Sequence, residues 1–174
     1  MDTRPVFYGA SVTSRSEAQA LAIVDRARVI SKILERQGYQ CQPEVVCDAR
    51  LHCQSDARVN NIPTRFQRQV SPGDINRFRP YRLQGKDPLE NEVACHLWGL
   101  EAIRNACFCI WDLTCPSSGS GFEIATALSM QKKCFCFSEG EAVSSTLNGC
   151  PSSLLHIVTY DQAIERHLLD FLAK

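Results

Sequence analysis

The chain lacks any apolar run near the roughly 20 residues that a membrane span requires. Its start, Met1-Asp2-Thr3-Arg4-Pro5, leads into an apolar stretch too short for a signal segment. It also lacks net charge. The 19 Lys and Arg balance 19 Asp and Glu, so no global field draws the protein to nucleic acid or to an anionic membrane. Metal-ligand spacing is missing as well: there is no Cys-x-x-Cys, and His52, His96, His156 and His167 are scattered. These absences predict a soluble, cytoplasmic protein with a small-molecule partner, no nucleic acid or membrane partner, and no metal.

Cysteine, by contrast, is abundant. Ten are present, four of them as Cys107-Phe108-Cys109 and Cys134-Phe135-Cys136 inside apolar runs. A small secreted chain would use such a number for disulfides. Here the Cys-x-Cys spacing alternates strand faces, and reduced core thiols are expected. With 174 residues, 44% of them hydrophobic and 22% charged, the chain has enough apolar material for one compact domain over 1–174.

Strand and helix patterns alternate along it. Val6-Phe7-Tyr8-Gly9-Ala10 reads as a buried strand ending at the polar turn Ser11-Val12-Thr13-Ser14. A helical pattern follows from Ser16-Glu17, with Leu21, Val24, Ala27, Val29, Ile30, Ile33 and Leu34 inward and Gly38 as its stop. Glu44-Val45-Val46-Cys47 is the expected second strand. From about 48 to 88 the period is lost, Pro63, Pro72, Pro80 and Pro88 intervene, and a long irregular insertion is expected. Residues 58–86 hold seven basic side chains against one acid, an anion-facing or simply solvated excess. A helix from about Glu90 to Asn105 precedes a strand from Cys107 to Leu113. A Ser/Gly turn then leads to a helix from Glu123 to Gln131, strands at Lys133–Phe137 and Leu155–Tyr160, and a last helix Gln162–Leu172 with Ile164, Leu168, Leu169 and Leu172 inward. Such alternation predicts an α/β fold: a Rossmann-like (flavodoxin-like) three-layer domain with a parallel sheet of about five strands. Its ligand crevice would lie at the carboxyl ends of the strands.

The turn Thr114-Cys115-Pro116-Ser117-Ser118-Gly119-Ser120-Gly121-Phe122-Glu123 is the chemically richest segment. Unpaired N–H groups at a helix start bind anions, and Gly119 and Gly121 would let a phosphate approach. Close helix–strand packing selects glycine equally well. A carboxylate in the first helical turn is favoured by the helix dipole, which would place Glu123 there and keep it ionised. Asp112 either holds a ligand hydroxyl or starts the turn through its own hydrogen bonds. His96 and Trp98 are candidates to touch a base, with packing as the alternative. Ser144 and Ser145 suit a helix N-cap as well as a phosphate contact.

Asp112-Leu113-Thr114, Pro116-Ser117, Gly119 and Gly121-Phe122-Glu123-Ile124 together resemble the signature of the nucleoside 2-deoxyribosyltransferase family. The closest branch by these residues is the deoxynucleoside 5'-monophosphate N-glycosidases. The resemblance extends to the first strand and turn, to Ala106 through Phe137, and to Val143 through Gly149, but not to 41–90. It implies that Glu123 attacks the anomeric carbon of a 2-deoxyribosyl group and that water or a second base resolves the glycosyl-enzyme, with no cofactor. It further implies a 5'-phosphate held by Ser11, Ser117 and Gly119, with Thr13, Asp112 and Gly121 also in the substrate site. Ser144 would come from the other subunit of a homodimer or higher homo-oligomer. Three positions depart from the pattern. Gly99 stands where the family places an assisting aspartate, Thr13 where the monophosphate branch tends to carry arginine, and Phe7 where it tends to carry tyrosine. A non-catalytic nucleotide-binding protein of the same fold is therefore the alternative. A dinucleotide-binding reading fails because Gly9-Ala10-Ser11-Val12-Thr13 has no G-x-G-x-x-G spacing.

Overall fold

The computed structural model describes residues 4–11, 17–41, 96, 99–115, 117–140, 143–160 and 164–174. The insertion expected at 48–88, its basic excess, the strand expected at Glu44–Cys47, and Thr13, Trp98 and Pro116 lie outside the described residues.

Five strands form one sheet: β1 (Arg4–Ala10), β2 (Tyr39–Cys41), β3 (Phe108–Asp112), β4 (Lys133–Glu139) and β5 (Leu155–Tyr160), in the order β2-β1-β3-β4-β5. All neighbouring pairs are parallel. The helices are α1 (Glu17–Arg36), α2 (Ser118–Ser129), α3 (Ser145–Asn148) and α4 (Ile164–Leu172). Residues 99–105 are helical as well. The second strand among the described residues is Tyr39–Cys41, directly after the α1 stop. Gly38 makes this possible: its φ of +76° is the left-handed conformation that ends the helix without steric cost.

The parallel sheet is covered on both faces, and its strands are apolar almost throughout, as a three-layer α/β fold requires. Alternation along each strand divides the core in two. Val6, Tyr8, Phe108, Ile110, Phe135 and Phe137 face α1 and α4 in one cluster. Phe7, Cys109, Trp111, Cys134 and Cys136 face Ile103, Ile124 and Ala127 in the other. Cys109, Cys134 and Cys136 thus send their thiols to one face, and Phe108 and Phe135 face the opposite one, while Cys107 precedes β3, is exposed and donates its thiol to the Pro5 carbonyl.

Two helical faces match expectation except at Leu21, Val29 and Leu169. Leu21 and Val29 of α1 are 47% and 50% exposed, and Ile23 is buried with Val24, Ala27, Ile30, Ile33 and Leu34. In α4, Leu168 and Phe171 are buried while Leu169 points outward. The last helix is short, and which of its several adjacent apolar residues face inward is decided by the aromatic cluster: Phe171 packs on Phe108 and Phe135 at centroid distances of 5.5 and 5.3 Å.

Candidate active site

The carboxyl ends of β1 and β3 lie side by side, with Ala10 in register with Asp112. The chain leaves β1 toward β2 on one side, and β4 lies on the other side of β3. This reversal is a topological switch point, where open α/β sheets bind ligands. Ser11 follows β1 immediately and is half-buried. The Ser/Gly turn follows β3, so Ser11 and the described part of that turn stand at the same end of the sheet.

The helix after β3 starts earlier than its composition suggests. Ser117 is the N-cap of α2, with extended backbone (φ −142°, ψ 161°), and its Oγ accepts from the Ser120 N–H at 3.1 Å. The Gly121 N–H donates to the Ser117 carbonyl at 3.2 Å. The N–H groups of Ser118 and Gly119, which precede the first intrahelical bond, remain directed beyond the helix start. Close packing does not explain the glycines. A Cβ at Gly119 would meet only the Ser117 Oγ at 3.7 Å, and one at Gly121 would meet nothing within 4 Å among the described residues.

The early start corrects the expected place of Glu123, which lies in the second turn of α2; the first turn has no acidic residue. The helix dipole falls off within that first turn, so other forces set its ionisation. Burial pushes its carboxyl pKa up. The Trp111 indole, which donates to Oε2 at 3.0 Å, and the nearby His96 pull it down, and burial prevails. The His96 ring lies 5.5 Å from that of Phe122, which is 55% exposed at the rim beside Glu123.

Gly99 also faces this carboxylate: a Cβ there would lie 3.7 Å from Glu123 Oε1. Position 99 is therefore adjacent to Glu123, and it presents no side chain there. Glu101, two residues on, is exposed.

No protein-family model and no curated protein matches the sequence. Among solved structures, the chain is similar to the CMP N-glycosidase BcmB of Clostridium botulinum, with a TM-score of 0.49 and 17% identity over 98% of this chain and 100% of that one.

Asp112 is at the carboxyl end of β3 but is engaged within the protein. Its Oδ1 accepts from the Thr114 N–H at 2.9 Å, and its Oδ2 from Arg26 Nε at 2.7 Å. Arg26 also donates to Glu139 Oε2 at 2.7 Å, so one guanidinium ties α1 to the ends of β3 and β4. The turn-starting role is the one this geometry displays. Ser144 is exposed and precedes α3, but its side chain makes no capping bond.

Sequence reasoning passed over Trp111 and Gly9. Trp111 looks like core, and it is fully buried; nothing in a strand pattern tells which way its N–H points. Gly9 carries a usable signal, because an isolated glycine inside a buried strand marks a close approach. A Cβ at Gly9 would lie 2.6 Å from Cδ1 and Nε1 of Trp111, its register partner.

Proposed function

We propose that the protein cleaves or transfers the N-glycosidic bond of 2'-deoxynucleosides or their 5'-monophosphates, with Glu123 as the nucleophile. One observation carries the reading: among the described residues, a half-buried carboxylate is held by the Trp111 N–H at the switch point, beside a helix start with free N–H groups and two glycines that packing does not demand. A carboxylate so placed suits attack on an anomeric carbon, with the departing base taking the bonding electrons and the sugar remaining on Glu123 until water or another base arrives. The α2 start, with Ser117 and Gly119, suits a 5'-phosphate. Phe122 and His96 form an aromatic rim on which a base can stack. The exposed, non-capping Ser144 is consistent with a serine lent to the second subunit of a homodimer.

Incubation of wild type and Glu123→Ala with a panel of deoxynucleosides and monophosphates, with and without an acceptor base, tests the proposal. Chromatography of free base should show release by wild type and a loss of about a thousandfold or more in the variant. No release by wild type from any substrate would end it. Transfer of sugar to the acceptor separates a transferase from a hydrolase.

A second reading, binding of nucleotide without catalysis, is favoured by Gly99, which places no carboxylate at that position beside Glu123. Tight nucleotide binding with no base release would establish it.

A further inference from the structure

We propose that Trp111 is the positioning residue for the Glu123 carboxylate: its indole N–H fixes Oε2 and leaves Oε1, on the side of Gly99, as the oxygen that bonds to the anomeric carbon. This inference rests on the reading of Glu123 as nucleophile.

The indole is oriented before any ligand arrives. Trp111 is fully buried in the central strand β3, its ring packs on Phe7 at 5.4 Å between centroids, and it lies over β1 at Gly9, where any larger residue would collide with it at 2.6 Å. An indole N–H is a donor only and cannot reverse its role. Its bond to Oε2, 3.0 Å long, therefore fixes the plane of the carboxylate through a group that packing has already locked.

The other oxygen has the opposite surroundings. Oε1 lies 3.7 Å from where a Gly99 Cβ would be, and the helical stretch 99–105 offers no side chain at that point. Among the described residues, one oxygen is held and the other is open. In the first step the open oxygen forms a bond to C1' while the C1'–N bond breaks, and the base leaves with the electron pair and takes a proton from water. In the second, water adds to C1' and the Oε1–C1' bond breaks, restoring the carboxylate and releasing a proton. The indole proton is not transferred in either step. A donor fixed before the reaction needs no reorganisation during it.

The sequence has two tryptophans, so an amide correlation spectrum of the whole chain contains two indole N–H signals. In wild type, one of them should shift as Glu123 titrates, and the shift should disappear in Glu123→Gln. Movement left in that variant comes from a group other than Glu123; among the described residues His96 is the charged neighbour that acts on this carboxyl. The Trp111→Phe variant keeps an aromatic ring and deletes the donor. There the Glu123 carboxyl signal should titrate at higher pH than in wild type. Base release should lose about tenfold to a hundredfold in kcat with KM unchanged, and its acidic limb should move up by the same amount as the carboxyl signal.

The proposal is overturned if neither indole signal follows Glu123, or if Trp111→Phe leaves both the carboxyl titration and kcat where they were. Should Trp111→Phe not fold, the wild-type titration against Glu123→Gln decides alone. Absence of base release from wild type would remove the nucleophile reading and the role assigned to Oε1; the titration would still report whether Trp111 holds the carboxylate.

Discussion

At the scale of single residues, the site stores its chemistry as a cost to the fold. Burial raises the Glu123 pKa, so the folded protein binds this proton more tightly than the unfolded chain does. Stability contributed by the protonated group is present below the ordinary carboxylate range and is lost as pH rises through the raised folded value. At neutral pH the buried charge is a standing penalty. Glu123→Gln keeps a carbonyl that can accept from Trp111 and removes the charge. It should therefore raise Tm at pH 7, by about 2–4 °C for each 1 kcal/mol recovered, and the gain should vanish at pH 4 and below. Thermal unfolding of both proteins across pH measures this. A gain that persists in acid would mean that the amide packs better, not that a charge was relieved. Loss of activity together with gain of stability is the usual signature of a functional carboxylate.

Among elements, the strand ends are held by one cation. Arg26 sits on α1 between the buried Ile23 and Ile30, and its bonds to Asp112 and Glu139 close that helix onto β3 and β4. Burial disfavours its charge, but Asp112 more than offsets this, with Tyr160 and Glu139 adding to it, and the guanidinium pKa rises above its ordinary value. Removing the cation leaves Asp112, which is 1% exposed, with a single hydrogen bond. Arg26→Met should cost on the order of 3 kcal/mol, seen in urea as a lower midpoint with an unchanged slope. Replacing Asp112 by Asn in the same chain should recover part of the loss. The sequence displayed the helix but hid this role, although an arginine three residues after Ile23 and four before Ile30 is a visible sign of an inward charge. The start of α2 was hidden for a different reason. Ser118, Gly119, Ser120 and Gly121 are poor helix formers, so propensity favours a loop up to Glu123. The Ser117 cap and the burial of Ser120, Ile124 and Ala127 outweigh it.

For the molecule as a whole, strand–helix alternation in the sequence was sufficient for a parallel sheet with two covered faces, and the Ser/Gly turn was sufficient to name a candidate site. The place of β2 was not legible, because that strand is only three residues long and carries little pattern of its own; the order β2-β1-β3-β4-β5 is the one a flavodoxin-like sheet has. The sheet also supplies a reporter of global opening. Cys109, Cys134 and Cys136 are free and buried on one face, and burial pushes all three thiols up, Cys134 to about 12. At pH 7 such a thiol is ionised in only about one molecule in 10⁵, and the thiolate is the reactive form. These three should therefore resist alkylation in the native state and react only when the sheet opens. Peptide mass spectrometry distinguishes them from the exposed Cys107. A ligand that binds only the folded state lowers the open population by the factor 1 + [L]/Kd. A deoxynucleoside monophosphate at a hundred times its Kd should thus slow labelling of the three sheet thiols by about a hundredfold, when reclosing outpaces alkylation. Because Glu123→Gln keeps the α2 start intact, it should show the same protection without turnover. Protection by inorganic phosphate alone would assign the binding to the helix start. Protection by the free nucleoside alone would assign it to Glu123 and the aromatic rim, and would leave Ser117 and Gly119 without a phosphate to hold.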